Sequence, residues 1–148
     1  MQLLAFLCCE RVIFDQQGVP SLIMIMETLT VQVPPGTDIP SNVVAPKEWA
    51  VFTLWIPESQ DIGKTFRQII EVEPPPGGGA RMKPPPLEFR VKADEQYRNL
   101  MPVLGFPVGH KGRYNVKMRL ESDGELIGSE YTYKIEVKHQ HQDQTVSA

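Results

Sequence analysis

The sequence predicts an all-β protein, a two-sheet immunoglobulin-like sandwich of about seven strands joined by proline- and glycine-rich loops. Apolar and polar residues alternate with a period of two in several short segments, as they do in half-buried strands. The 14 prolines and 11 glycines cluster between these segments, where they separate short elements. With 148 residues and 41% hydrophobic content, the chain suits one domain with a single core, which we expect at residues 1–138.

The first two strands are predicted to form a hairpin. Apolar residues run from residue 3 to residue 14, the turn DQQG follows, and a second apolar run extends to residue 33. Asp15 and Gly18 suit the ends of a type I turn whose glycine adopts a left-handed conformation. The length of the second run also allows a helix at 22–29, but its β-branched residues and the turn residues beside it favour a strand.

Three strands are predicted in the middle of the chain, at residues 48–56, 66–73 and 87–91. Proline-rich loops at 34–47 and 74–86 precede the first and the last of them. We interpret PPPGGGARMKPPP as a flexible loop, with recognition by a proline-binding domain as the alternative. The mixed segment 94–112 contains one candidate helical turn at 94–100, which Pro102 would end.

The last hairpin has the clearest pattern. In RYNVKMRL the residues alternate without error, and Asp123-Gly124 is a strong signal for a two-residue hairpin turn. Such a turn sets Val116 opposite Tyr131, so that apolar residues face one another across the two strands.

Two features flank this hairpin. Gly112 precedes Tyr114 with the spacing of the tyrosine corner of immunoglobulin-type folds, in which the hydroxyl anchors a loop. Residues 139–148 lack an apolar period, and we expect them to form a disordered polar tail. His139 and His141 would chelate a metal if the last strand continued through them, but a solvated tail is the favoured interpretation.

Charge and hydropathy exclude several classes of function. The net charge of −3 and the isoelectric point near 5.6 argue against broad binding of nucleic acid or anionic membranes. The outward basic row Arg113, Lys117 and Arg119 lacks aromatic residues that would stack on bases. No run approaches the roughly 18 apolar residues of a membrane helix, and the run at 3–9 lacks the flanks of a signal sequence. We therefore expect a cytoplasmic protein.

Cys8 and Cys9 are interpreted as reduced packing groups in a buried strand. Neighbouring residues of a strand point to opposite faces, and a bridge between them lies outside the usual disulfide geometry. The chain has no third cysteine to complete a metal site. A reactive thiol is the alternative, because Glu10 and Arg11 lie beside Cys9. We expect no metal and no other cofactor.

The sequence carries no clear catalytic motif. A nucleophilic triad requires a base that a third group orients, and among the three histidines only His110 lies outside the predicted tail. The nucleophile motif G-x-S-x-G does not occur. We therefore expect no enzyme activity. The alternative is a small-ligand receptor or enzyme with its site at the loop end of the sandwich, near His110 and Tyr97.

The segment EWAVFTLWI is apolar on both faces of its predicted strand. Only one face can line the core between two sheets, so the other lies beneath a loop or meets a partner. We assign the interface to Trp49, Val51, Thr53 and Trp55, because tryptophan is enriched at binding hot spots. Together with the proline-rich loops, this face predicts a non-catalytic binding or assembly module that contacts a protein partner or a second copy.

Residues near the two ends of the chain form a recognisable pattern: Ala5-Phe6-Leu7, Cys9-Glu10-Arg11-Val12, Gly18 and Ser21-Leu22-Ile23, and the later Gly112-x-Tyr114 and Asp123-Gly124. In this pattern the chain resembles a family of small uncharacterised bacterial proteins. Family members often have glycine after Ser-Leu-Ile, where this chain has Met24. The resemblance implies a small β-sandwich in bacteria, and it implies no reaction or substrate.

Overall fold

The computed structural model describes residues 1–93 and 95–142, which form nine strands and no α-helix. The strands are β1 (Gln2–Phe14), β2 (Pro20–Ile25), β3 (Thr28–Val33), β4 (Val44–Ile56), β5 (Thr65–Glu73), β6 (Leu87–Arg90), β7 (Tyr97–Pro107), β8 (Gly112–Ser122) and β9 (Glu125–His141). A short 3-10 turn at Ser59–Asp61 joins β4 to β5.

The strands form two sheets that pack against each other, as the sequence predicted. Sheet A has the order β2-β1-β4-β7, and sheet B has the order β3-β9-β8-β5-β6. Immunoglobulin-type sandwiches pair strands B and E in one sheet and place strands G, F and C side by side in the other. The same arrangement occurs here, with β4 next to β7 in sheet A and the row β9-β8-β5 in sheet B. The two inner faces share one apolar core, and its largest fully buried side chains include Trp55, Tyr114, Phe66 and Phe106.

The structure has nine strands instead of seven for two reasons. The predicted strand at 20–33 divides into β2 and β3: β2 pairs with β1 in sheet A, and β3 pairs in parallel with β9 in sheet B. The predicted helical turn at 94–100 is wrong, because Tyr97 already begins β7, while Asp94 lies outside the described residues. Pro102 does not end this element, since β7 is an edge strand, where a missing backbone N–H is tolerated.

The first hairpin turns as predicted. The amide of Gly18 donates to the carbonyl of Asp15 at 3.0 Å, and Gly18 has a φ of 77°. The segment 22–29 that also allowed a helix belongs to β2 and β3, apart from the break between them, and Met24 within β2 has a left-handed φ of 56°.

The loop predicted at 34–47 is shorter than expected, because β4 already begins at Val44. Pro46 lies where the register with β7 shifts between Ala45 and Glu48. An irregularity of this kind accommodates a proline, since its residues make no regular ladder bonds.

The last hairpin has the predicted turn and a register that changes along its length. Leu120 lies opposite Ile127, as a two-residue turn requires, but Val116 lies opposite Tyr133 instead of Tyr131. The two extra residues of β9 are accommodated beside Gly128, which has a φ of 72°. A shift by two residues keeps every side chain on its own face, so the inward pattern survives.

Strand β9 continues further than predicted. His139 and His141 pair with Val31 and Val33 of β3, so the disordered tail expected from residue 139 does not begin there. Residues 143–148 lie outside the described residues.

The tyrosine corner is present. The hydroxyl of Tyr114 donates to the carbonyl of His110 at 3.0 Å, and the ring is fully buried against Phe106. This contact fixes the connection between β7 and β8 at one end of the sandwich.

Candidate interaction surface

The row Trp49, Val51, Thr53 and Trp55 does not form a surface of the folded chain. All four side chains are buried in the core between the sheets, so their assignment as an interface is wrong. Thr53 Oγ1 and Trp55 Nε1 donate to Gln68 Oε1 of β5 at 2.8 and 2.9 Å. These two polar groups are therefore satisfied across the core, while Trp49 Nε1 donates to the carbonyl of Gly105 on the neighbouring β7 at 2.8 Å.

Gln68 is the residue that sequence reasoning missed. It is fully buried, its amide nitrogen lies 3.2 Å from the sulfur of Met101, and its oxygen is also 3.5 Å from the amide nitrogen of Asn99. Buried Trp and Thr need acceptors, and a lone glutamine on the inward face of an apolar strand supplies one. The inward spacing of Phe66, Gln68 and Ile70 was the available signal.

The outward row of β4 belongs to an extended apolar surface on sheet A. The registers with β1, β2 and β7 place the following side chains on this surface, which we call the apolar face: Ala5, Leu7, Cys9, Ile23, Ile25, Ala50, Phe52, Leu54, Ile56, Leu100, Pro102 and Leu104. Cys9 and Ala50 in this row are buried, and the others are partly or fully exposed. Leu104 is 69% exposed and Ile25 is 42% exposed. Charged side chains of the same registers stand at its ends, namely Arg11, Glu48 and Arg98.

The outer face of sheet B has the opposite character, because ion pairs cover it. Lys117 Nζ lies 2.8 Å from Glu73 and 3.7 Å from Glu130, and its hydrogen bond holds the pKa of Glu73 below the ordinary value. Arg119 and Arg113 contact Glu121 and Glu136 at 3.1 and 3.9 Å. The basic row recognised in the sequence is therefore matched by acidic neighbours.

The β1–β2 hairpin diverges from the rest of sheet A. Cys9 pairs with Ala50 of β4, but beyond it β1 pairs only with β2. The separation opens a groove of about 440 Å³, lined by Glu10, Arg11, Val12, Phe14, Glu48, Trp49, Ala50, Leu100, Pro102, Val103 and Leu104. An ion pair between Lys47 and Glu10 at 2.9 Å spans the divergence.

Met24 combines two unusual properties on this hairpin. Its φ is 56°, a left-handed value that only one other non-glycine residue shares in the described ranges. Its side chain is 66% exposed. An apolar side chain in solvent on a strained backbone is uncommon, and such strain concentrates at functional positions.

Cys8 and Cys9 are unbridged and fully buried, as their interpretation as packing groups requires. Cys8 belongs to the core, and Cys9 lies on the other side of β1, next to Ala50. Burial raises the pKa of both thiols, and a backbone hydrogen bond from Arg11 only partly opposes this at Cys9. Neither thiol has the character of an activated nucleophile.

The structure does not bring the predicted ligand-site residues together. Tyr97 begins β7, and His110 follows its other end, so about ten residues of strand separate them by roughly 33 Å. Tyr97 accepts a hydrogen bond from the amide of Lys92 at 2.6 Å. The His110 ring packs against Gly78, and its Nδ1 is buried with no hydrogen-bond partner among residues 1–93 and 95–142.

The loop at 74–86, which we predict to be flexible, is held against the sandwich at Met82 and Pro84. Val72 and Met82 exchange two backbone hydrogen bonds at 2.7 and 3.1 Å, and Pro84 is buried. A Cβ on Gly78 would lie 2.2 Å from Nε2 of His110. The central glycine therefore serves close packing against the loop after β7.

The histidines near the C-terminus do not complete a metal site in residues 1–93 and 95–142. His139 Nε2 is hydrogen-bonded to the carbonyl of Val108 at 2.7 Å. No three metal-ligating side chains cluster within those ranges, and Asp143 lies outside them.

The described residues contain no helix with the length and apolar character needed to cross a membrane.

Comparison with family models and curated proteins does not assign the chain to a family. No family model matches the chain, and a search of curated proteins gives no match.

Proposed function

We propose that this protein is a non-catalytic binding module that acts through protein–protein contacts, with the apolar face as its contact surface. The observation that carries the proposal is the contrast between the two sheets. Sheet B covers its outer face with ion pairs, whereas sheet A presents a continuous apolar row on four adjacent strands. Contiguous apolar surface of this kind marks interaction sites in folded proteins.

The arrangement of the apolar face supports contact with a protein in particular. Apolar side chains occupy its centre, and the charged residues Arg11, Glu48 and Arg98 stand at its ends. Specific protein interfaces have this anatomy, with a desolvated apolar centre and a polar rim. Burial of apolar area stabilises such a contact by about 25 cal/mol per Å² before the costs of association.

We also propose that the chain works in the bacterial cytoplasm and belongs with the small β-sandwich proteins that its opening resembles. The left-handed backbone of Met24 supports the resemblance, since family members often have glycine there and glycine suits a positive φ.

A photo-crosslinking experiment in living cells tests the contact surface. A benzophenone amino acid replaces Leu104 on the apolar face, and in a matched control it replaces Leu126, which is 53% exposed on β9 of sheet B. We expect irradiation to produce a protein adduct from position 104 and none from position 126. Equal adducts from both positions, or no adduct from position 104, would contradict the proposal.

A further inference from the structure

We propose that the occupant of the apolar face is a second copy of this chain, in a two-fold symmetric dimer. In this dimer Met24 of each protomer enters the groove beside β1 of its partner, and Arg11 of each protomer pairs with Glu48 of the other. The inference rests on the proposed function and names the partner.

Charge complementarity is the first argument. Arg11 and Glu48 would oppose each other if the pairing of β1 with β4 continued beyond Cys9 and Ala50, but the strands diverge there. Neither side chain forms an ion pair with another residue in the described part of the chain. A two-fold axis through this end of the apolar face sets each charge against its opposite in the other copy.

The ends of the apolar face also argue against a strongly charged partner. Arg11, Glu48 and Arg98 leave this surface close to neutral, with one excess positive charge. A partner with an acidic or a basic patch would find little complementary charge there. A surface that is apolar at its centre and carries both signs at one end complements a copy of itself.

Shape is the second argument, because one chain carries both a protrusion and a hollow. Met24 is 66% exposed on the hairpin, and its backbone is left-handed. The groove of about 440 Å³ lies between that hairpin and β7, with Ala50, Leu100 and Leu104 in its lining. Methionine is enriched at interfaces, and its flexible side chain fills irregular hollows. Met24 lines a neighbouring hollow with Arg11 and Glu48, and the same two charged residues line the groove. Protrusion and groove therefore lie at the same end of sheet A, where a two-fold axis brings each against the other copy.

The area of the face sets the strength of the contact. Four strands about 4.8 Å apart and about eight residues long give a flat area of about 500 Å². A standard stable interface buries about 800 Å² on each partner, so we expect a reversible dimer. Its dissociation constant is expected in the micromolar range, where the population of dimer changes with protein concentration.

Sedimentation velocity on the purified full chain tests the dimer, over about 2 to about 500 µM. We expect the mean mass to rise with concentration from 16.7 kDa towards twice that value. Arg11→Glu or Glu48→Arg alone should weaken the association at least about tenfold, because each places like charges together. The double variant Arg11→Glu/Glu48→Arg should recover the original association within about threefold.

Matched controls make the same charge changes away from the apolar face. Arg67→Glu on β5 and Glu125→Arg at the β8–β9 turn should each leave the association within about twofold of the original. Met24→Lys should weaken association at least about tenfold, since it carries a charge into the apolar groove. All of these positions are exposed, and circular dichroism verifies that each variant is folded.

Failure of this inference can be told apart from failure of the proposed function. A mass of 16.7 kDa at every concentration overturns the dimer, as does a double variant that remains dissociated or a control that dissociates it equally. If the purified chain is monomeric while position 104 crosslinks to a different protein in cells, the second copy is excluded and the proposed function stands. If position 104 crosslinks to nothing, the proposed function itself fails.

Discussion

At the scale of the residue, Gln68 shows how the apolar core accommodates the polar groups of Thr53 and Trp55. Its side-chain oxygen accepts hydrogen bonds from Thr53 and Trp55, which lie on the opposite sheet. Unpaired polar groups in such a place would cost free energy, whereas paired ones fix the alignment of the sheets. The glutamine therefore acts as a polar link between β4 and β5.

We predict that Gln68→Leu lowers the free energy of unfolding by about 3 kcal/mol, because the Thr53 hydroxyl and the Trp55 indole N–H both lose their acceptor. Urea denaturation followed by tryptophan fluorescence measures the change. Gln17→Leu in the exposed first turn is the matched control and should change the stability by less than about 0.5 kcal/mol. A loss at Gln68 no larger than that of the control would show that the link contributes nothing.

A second prediction at this scale concerns Met24, because its backbone has a left-handed conformation that residues other than glycine disfavour. A left-handed conformation costs an L-residue about 1 kcal/mol, and glycine avoids that cost. We predict that Met24→Gly raises the free energy of unfolding by up to about 1 kcal/mol, whereas Met24→Ala keeps the strain and gives no gain. Thermal denaturation at low protein concentration compares them. An equal gain in both variants would assign the effect to the side chain instead of the backbone.

The residue scale also shows where prediction from sequence reaches its limit. The alternation along β4 correctly separated Trp49 and Trp55 from Phe52 and Leu54, but both rows are apolar. Hydrophobicity therefore could not decide which row faces the core. The choice between the two rows depends on Gln68, which lies more than ten residues along the chain from Trp55. Gln68 accepts a hydrogen bond from the indole N–H of Trp55, so the row that contains the tryptophans faces the core.

At the scale of the element, turn chemistry was predictable, and the register remote from a turn was not. Asp123-Gly124 correctly set Leu120 opposite Ile127. The two-residue shift before Tyr131 depends on Gly128. Its positive φ cannot be predicted from the alternation of apolar and polar residues along the strand. A proline gave a similar ambiguity, since Pro102 would end a helix and is equally compatible with an edge strand.

The outer ladder of sheet B carries a prediction about acid stability. The Lys117 ammonium holds the pKa of the Glu73 carboxyl below its ordinary value of 4.5, chiefly through a direct hydrogen bond. A carboxyl whose pKa is lowered by folding stabilises the protein above its unfolded pKa, and this contribution is lost as pH falls through the folded pKa. Glu73→Gln should therefore lose stability near neutral pH and show a smaller further loss in acid.

Urea denaturation of the original chain and of Glu73→Gln, at about pH 7 and about pH 3.5, measures this difference. The effect is expected to be small, because both partners are near the surface and solvent screens them. Glu125→Gln at the β8–β9 turn provides the control, since Glu125 makes no ion pair within the described ranges. A pH dependence identical in all three proteins would show that the ladder does not contribute.

At the scale of the whole molecule, the sandwich was predictable because many independent segments agree. Period-two alternation, the proline and glycine positions and the spacing of the tyrosine corner all require paired sheets. The passage of the chain from β2 in sheet A to β3 in sheet B was not predictable, because no glycine or proline marks the break between Ile25 and Thr28. That crossing joins the sheets at one edge, so both sheets close around one core.

One shared core implies cooperative unfolding, with the β1–β2 hairpin as an exception. Trp49 and Trp55 are buried between the sheets, so their fluorescence reports the core, while far-ultraviolet circular dichroism reports all strands. We predict thermal midpoints that agree within about 1 °C. Two separate midpoints would show that the sheets have independent stability.

Hydrogen exchange compares the hairpin with the core. Amides of β8 should exchange only through global unfolding. Amides of β2 should exchange faster through local opening, because beyond Cys9 the β1 strand pairs only with β2. Equal protection of β2 and β8 at low concentration would show that the diverging hairpin is held as firmly as the core.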